Sequence, residues 1–373
     1  MRIEKISNRQ FMFIVFMMRA TVVIATLPVL TSSDAGQDAW ASALLVLVGT
    51  SLLVMLIAGL GVRFPHLSVV EISQTLLGRS LGALVSLVPL WAFLHLAAIE
   101  VRVYSEMIIV NFLPDTPIVF LTAVMILVAV AAAFSGVEVI GRMADFVFPI
   151  FVIMLTLSVT TLFFAAEFTN LQPVLSRGFA PVLIGSIVPT AVASELLVIG
   201  MLIPHLNSPE KAVSSALWGV LGASLVLIVI SSMVVATLGP DQSMRAVFPL
   251  IKAIRSVRIS EFLERAEILV VFSWGFGIFV ALSTFVYSGA RGLSTLFKIS
   301  DYRHILLPMS VFWIVLSIHD FENVFQIRSL FAPEIMGPYG LLMILIPYSL
   351  LWSGYLIHKI AGKNPQDARE GER

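Results

Sequence analysis

The sequence has no cysteine, which excludes a disulfide, a thiolate metal site and a cysteine nucleophile. Charge is scarce too: Asp, Glu, Lys and Arg make up 12% of the 373 residues, against about 25% in a soluble domain. Neither sign is in excess, since 23 basic residues balance 23 acidic ones. With no basic domain, nucleic-acid binding has nothing to rest on. No polar interval is long enough for a separate soluble domain; the longest is roughly 239–263. Zincin spacing, a P-loop and a Gly-x-Ser-x-Gly elbow are all missing, and the six histidines are scattered. An enzyme is therefore not expected, and neither is a metal or a cofactor. The opening MRIEKISNRQ is a charged tail without the apolar core and cleavage site of a signal peptide, so the first apolar run reads as a retained span.

What the chain does have is hydrophobicity in long runs. Apolar residues make up 58% of it, with a mean hydropathy of +0.99. A helical span needs about 20 such residues. Ten runs read as spans, at 10–31, 40–62, 82–111, 118–136, 145–166, 183–203, 212–238, 267–290, 305–319 and 339–358, the ninth being short. The expected fold is an all-α polytopic membrane protein of about ten transmembrane helices in one domain. Fourteen basic residues fall on one side of these spans and seven on the other, with Arg19 and Arg102 inside spans. The bias puts both termini in the cytoplasm. Its exception is the outer loop 239–263, where Lys252, Arg255 and Arg258 recur beside a stripe of Val247, Leu250, Ile251 and Ile254. This is an amphipathic helix. It either lies on the outer membrane surface or forms a lid over an outer vestibule.

The sixth run organises the rest. Leu183–Pro204 carries Gly185 and Pro189 in its first half and Glu195 near its middle. Proline removes a backbone donor, and a charge at this depth costs about 3 kcal/mol on insertion scales. Two readings follow: a broken helix facing a cavity, or a Pro-kinked helix whose Glu faces a neighbour. The first run matches it, with Arg19 and Thr21 mid-span and Pro28 near the outer end. Paired interruptions of this kind mark the binding site in transporters built from two inverted five-helix repeats. The expected layout is a tail over 1–9, a first repeat over 10–166, and a second over 183–319 that includes the loop. A tenth helix over 339–358 and a tail over 359–373 complete it.

Other polar residues have structural and functional readings side by side. Arg102 and Glu106 are four apart on the third run and can pair, near Glu100. His95 is either bonded to a neighbouring helix or a proton relay. Glu138, Arg142 and Asp145 read as a salt-bridged corner between the fourth and fifth spans, or as part of an inner gate. On the eighth, Glu264, Arg265 and Glu267 cluster at the outer end. Ser273, Gly275 and Gly277 then form a small-residue face, and Ser283, Thr284, Tyr287 and Ser288 add hydroxyls.

Several phrases occur together in a set order: AGQDAW, RFPHLSVVEISQTLLG, EVRVYSEMIIVNFLPDTP, GVEVIGR, NLQPVLSRGFAPVL and FLERAE followed by a Trp. In this series, which runs through almost the whole chain, the sequence resembles the B subunits of spore-germination receptors, the endospore germination permeases. That family looks like a branch of the amino acid–polyamine–organocation transporter superfamily. The resemblance implies a LeuT-like 5+5 inverted repeat with helices 1 and 6 interrupted. It also implies the spore inner membrane, an A-type subunit and a C-type lipoprotein subunit as partners, and a small nutrient, commonly an amino acid, as ligand. Carried over by counting from Pro28, Glu100, Glu195 and Trp274, it places Thr21, Val23, Leu96, Val192 and Ala281 at the ligand. Neither Thr21 nor Val23 is the Gly that would expose an amide, and the Thr21 hydroxyl is the expected substitute. Glu195, His95, Glu100 and Arg102 are the gating or proton-linked candidates. The functional alternatives are a nutrient sensor, a proton-coupled amino acid transporter with Glu195 or His95 carrying the proton, and a structural subunit.

Overall fold

A computed structural model describes residues 4–257, 265–321, 326 and 329–362. Membrane-length helices need no partner for their backbone groups, which is why uninterrupted apolar runs fold this way. The crossing helices are α1 (Asn8–Ala25) continued by α2 (Leu27–Ala35), α3 (Ala39–Gly61), α5 (Arg79–Asn111), α6 (Ile118–Phe134) and α7 (Val137–Thr161). They continue with α8 (Ala180–Ala191) and α9 (Ile199–Leu202), which share one crossing, then α10 (Ala212–Leu238), α13 (Glu267–Phe297), α14 (Arg303–His319) and α15 (Pro333–Ile360). Among the described residues, eight crossings are long and apolar enough by themselves, and α6 and α14 are shorter apolar helices. Short helix α4 (Val69–Leu77) links α3 to α5. Two helix starts carry capping boxes, Ser7 with Gln10 and Ser68 with Glu71.

The observed ends differ from the hydropathy runs where polar residues sit within a helix. Glu138, Arg142 and Asp145 are on the first turns of α7 rather than on a corner before it. Glu138 pairs with Arg142 four residues on, while Asp145 turns away to Arg9 (3.1 Å) and Gln10 (3.1 Å) of α1. The first crossing breaks at Thr26 (φ −139°, ψ −25°), two residues before Pro28. Pro28 opens the resumed helix, where its missing N–H leaves no bond unmade.

The face where α1 begins is sealed. Ile6 donates to the His205 carbonyl at 2.8 Å and accepts from Asn207 at 3.0 Å, an isolated parallel bridge tying the start of α1 to the end of the sixth crossing. Glu4 accepts from the first amide of α7 at 2.9 Å and lies 3.5 Å from Arg303 at the start of α14.

Over the opposite face, the interval expected as one amphipathic helix folds as α11 (Pro240–Arg245) and α12 (Pro249–Ser256). Leu250, Ile251, Ala253 and Ile254 are buried against the bundle, with Lys252 and Arg255 exposed. Phe248 reaches inward to Trp274 on α13, with ring centres 6.1 Å apart. The apolar face of α12 thus packs on the bundle, and its charged residues turn outward. Val247 precedes the helix and is exposed. Arg258 of the expected stripe and Glu264 of the expected cluster lie outside the described residues, as do Arg328 and the tail from 363.

Candidate functional site

The sixth crossing loses its α-helical register just past Pro189. Residues 192–198 wind as a 3-10 helix before α9 resumes. Proline cannot donate to the carbonyl one turn back, and the change of register leaves carbonyls in need of donors. Arg19, 1% exposed on α1, supplies one. Its Nη2 donates to the Pro189 carbonyl at 2.6 Å, and its Nη1 reaches Glu195 Oε1 at 3.3 Å. The two interrupted crossings are thus clasped to each other at mid-depth by a buried ion pair. Gly185, one turn before Pro189, allows close approach: a Cβ there would lie 3.0 Å from the Thr31 carbonyl of α2 and from the Ser42 hydroxyl of α3.

Beside this clasp lies a tight cavity of about 40 Å³. Thr21, Val22, Ala25 and Thr26 of the first crossing line it, facing Leu96, Ile99, Glu100 and Val103 of α5. Val192 and Glu195 of the sixth crossing, Trp274 and Ile278 of α13, and Phe331 and Met336 near the start of α15 complete it. The wall is mostly apolar with a few polar groups, as small-molecule sites are. Three of those groups lack a hydrogen-bond partner among the described residues: Thr26 Oγ1, Glu100 Oε2 and Trp274 Nε1.

Of the expected site residues, Thr21, Leu96, Val192, Glu195 and Glu100 meet at this cavity. Val23 and Ala281 do not line it. Both are fully buried in helix packing, and Val22 and Ile278 take the lining positions. The Thr21 hydroxyl donates to the Met18 carbonyl at 2.6 Å, so its proton is already used within its own helix. It is not free to replace an exposed amide. Gly277 makes this packing possible, because a Cβ there would meet the Thr21 methyl at 2.6 Å. The α13 hydroxyls of Ser273, Ser283 and Thr284 are likewise bonded to carbonyls of their own helix.

His95 and Arg102 lie elsewhere. Arg102 pairs with Glu106 at 2.8 Å and caps the last turn of α14 through the Ser317 and Ile318 carbonyls, both at 3.1 Å. His95 joins α5 to α14 and α15: Nδ1 is 2.5 Å from the Tyr339 hydroxyl and Nε2 3.4 Å from Asp320. Trp91 stacks on its ring and donates to the same Tyr339 oxygen at 3.1 Å. Sequence reasoning missed Trp274, Thr26 and Phe331 as lining residues. Trp274 and the prolines near Thr26 were visible signals, whereas Phe331 sits in a connection that no periodicity singles out.

Toward the lid, a vestibule of about 250 Å³ opens between α2, α5, residues 244–248 and residues 331–333. Thr26, Val103 and Phe331 line both spaces, so they form the partition between them. Phe331 is 8% exposed and is the largest of the three. Its replacement by alanine should join the two spaces. The natural lack of cysteine makes this measurable with one introduced thiol. Phe331→Ala should raise the rate at which a membrane-impermeant reagent modifies Ala25→Cys several-fold. An unchanged rate would place the barrier at another residue.

The chain compares with known proteins along most of its length. A family model described as spore germination protein matches residues 5–324. Spore germination protein KB of Bacillus subtilis (strain 168) is 28% identical over 320 residues, 84% of either chain. The putative spore germination protein YfkT of the same organism is 29% identical over 356 residues, 94% of this chain and 97% of that protein. Among solved structures, MhsT in complex with L-phenylalanine has a TM-score of 0.66 at 13% identity, covering 95% of this chain and 99% of that one. Mhp1, a nucleobase-cation-symport-1 family transporter with bromovinylhydantoin bound, has a TM-score of 0.65 at 15% identity, covering 92% and 78%. The fold is the LeuT-like arrangement of ten crossings with the first and sixth interrupted, in an integral membrane protein. The match over residues 5–324 places the chain in the spore germination protein family, the spore permeases.

Proposed function

We propose that this protein is the nutrient-recognising membrane subunit of a spore germination receptor. It binds a small nutrient, an amino acid in the first instance, in the cavity at the two helix breaks. It passes the signal to A-type and C-type lipoprotein subunits in the spore inner membrane, with both termini cytoplasmic. The observation that carries this reading is the cavity itself, bounded by both interrupted crossings and by a clasp between them, Arg19 to Glu195. A ligand signals only by favouring one of two states. Two crossings that are each divided into half-helices provide an element able to take two arrangements. Thr21, Leu96 and Val192 form apolar wall, and Glu100 and Glu195 supply charge.

A second reading, a proton-coupled amino acid transporter, draws on the same two carboxyl groups, which could carry a proton across with substrate. Proteoliposomes holding the purified chain separate the two. Saturable binding without accumulation under an imposed proton gradient is expected. Gradient-driven accumulation would establish the transporter instead.

A further inference from the structure

Two phrases of the sequence meet on the flank of the bundle, sharing no residue with the cavity. AGQDAW joins α2 to α3, and NLQPVLSRGFAPVL leads into α8. Gln37 Nε2 donates to the Pro173 carbonyl at 3.1 Å and to the Ser176 hydroxyl at 2.7 Å. Both oxygens of Asp38, 3% exposed, accept from the Leu175 amide, at 3.0 and 3.1 Å. The same connection is pinned to α10, where the Glu167 amide and the Asn170 side chain both donate to the Ala236 carbonyl, at 3.0 and 2.9 Å. It is a built wall rather than a loose loop.

The wall borders one of two adjoining grooves. The first, of about 430 Å³, lies between Trp40 of α3, Phe168, Leu171 and Val174 of the connection, and Ile228 and Ser232 of α10. The second, of about 300 Å³, lies between Val159 and Phe163 at the end of α7 and Val226, Val229 and Ile230 of α10. Ile228 and Ser232 share one face of α10, and Val226 and Ile230 share the next. Phe163 and Phe168, one from each groove, have ring centres 6.4 Å apart, so the grooves converge there. No charged side chain is among the described lining residues of either. The Thr160 and Ser232 hydroxyls donate to carbonyls of their own helices. Phe163, Phe168, Val174 and Val229 are exposed, so both grooves open sideways. α7 starts at the sealed face and α10 ends beside α11, so the convergence is at the α11 end of the bundle. Ser232 and Ile228 lie one and two turns below Ala236, a descent of about 12 Å. That is within one leaflet, about 15 Å of hydrocarbon.

We infer that the two grooves hold the two acyl chains of one phospholipid, with its glycerol at the Phe163–Phe168 pair. The grooves continue the lipid-facing surface of the bundle, so hydrocarbon is what reaches them. A charged ligand would find no counter-charge there. Trp40, in the first turn of α3, marks the same end of the first groove, and Trp is enriched where the bilayer meets water. Chains on adjoining faces of a helix about 10 Å across lie within the span of one glycerol. The lipid so placed fills the space beside the segment that enters the interrupted sixth crossing.

The test is native mass spectrometry of the purified full-length chain in detergent, titrated with dioleoyl phosphatidylglycerol or with its single-chain lyso form. One diacyl lipid should bind with a half-saturating concentration at least about tenfold below that of the lyso form, which corresponds to about 1.4 kcal/mol. Val174→Trp and Val229→Trp, both at exposed positions, fill one groove each and should each reduce that preference several-fold. Leu307→Trp, on the exposed face of α14, lines neither groove and should change nothing. Equal binding of the two forms by the natural chain would overturn the inference, and that comparison needs no variant to fold. An unchanged preference in the Val174→Trp, Val229→Trp double variant would overturn it too. So would an equal loss in Leu307→Trp, which would make the lipid part of a general coat.

Discussion

Arg19→Met should cost about 3–5 kcal/mol of stability, the range for removing one partner of a buried ion pair. The substitution leaves the Glu195 carboxylate unpaired and the Pro189 carbonyl without its donor, both at the break of the sixth crossing. Thermal unfolding in detergent, together with the yield of monodisperse protein, measures it. The double variant Arg19→Met, Glu195→Met should recover a large part of the loss, because replacing both members of a buried pair by apolar groups is far cheaper than orphaning one. Glu195→Gln alone should assemble normally but shift the ligand response. It keeps an oxygen for the guanidinium and removes the charge that holds the two breaks together. If the double variant falls as far as the sum of the single ones, the pair does not act as a clasp.

Thr21→Leu is the second large effect. The side chain stands between the cavity and the Gly277 face of α13. A leucine there extends into the cavity that a ligand would occupy, and the half-saturating concentration should rise at least about tenfold, or about 1.4 kcal/mol. The effect should be steric. The Thr21 hydroxyl is bonded to Met18, so Thr21→Val, which keeps the shape and loses only that bond, should bind nearly as the natural protein does. A Thr21→Val loss as large as that of Thr21→Leu would mean that the hydroxyl contacts the ligand.

The comparison of sequence with structure shows where local signals run out. Apolar run length and the Pro189–Glu195 interruption are local, and they located ten crossings and the broken sixth helix. The partner of Glu195 is 176 positions away on α1, and no periodicity announces it. Pro28 looked like the break of the first crossing. Proline is harmless in the first turn of a helix, so the chain breaks before it, at Thr26. Counting back from Pro28 to Val23 assumed that a ligand-facing position can be fixed by offset alone. The cavity face is in fact Thr21, Val22, Ala25 and Thr26, one side of a helical turn, and Val23 points into packing. On α13, Ala281 is likewise buried in packing, and Trp274 and Ile278, four residues apart, line the cavity. Arg102 was legible as the partner of Glu106, four residues on. Its capping of α14 was not, because that contact depends on how distant helices meet.

The most direct measurement is ligand protection of single cysteines placed in a chain that has none of its own. Ala25→Cys and Ile278→Cys put a thiol on opposite walls of the cavity, and Lys252→Cys puts one on the exposed side of the lid. A nutrient that binds at the two helix breaks should slow modification of both cavity thiols in a dose-dependent way and leave the lid thiol unchanged. Equal rates at all three positions, with and without a nutrient to which the intact receptor responds, would contradict a binding site in this cavity.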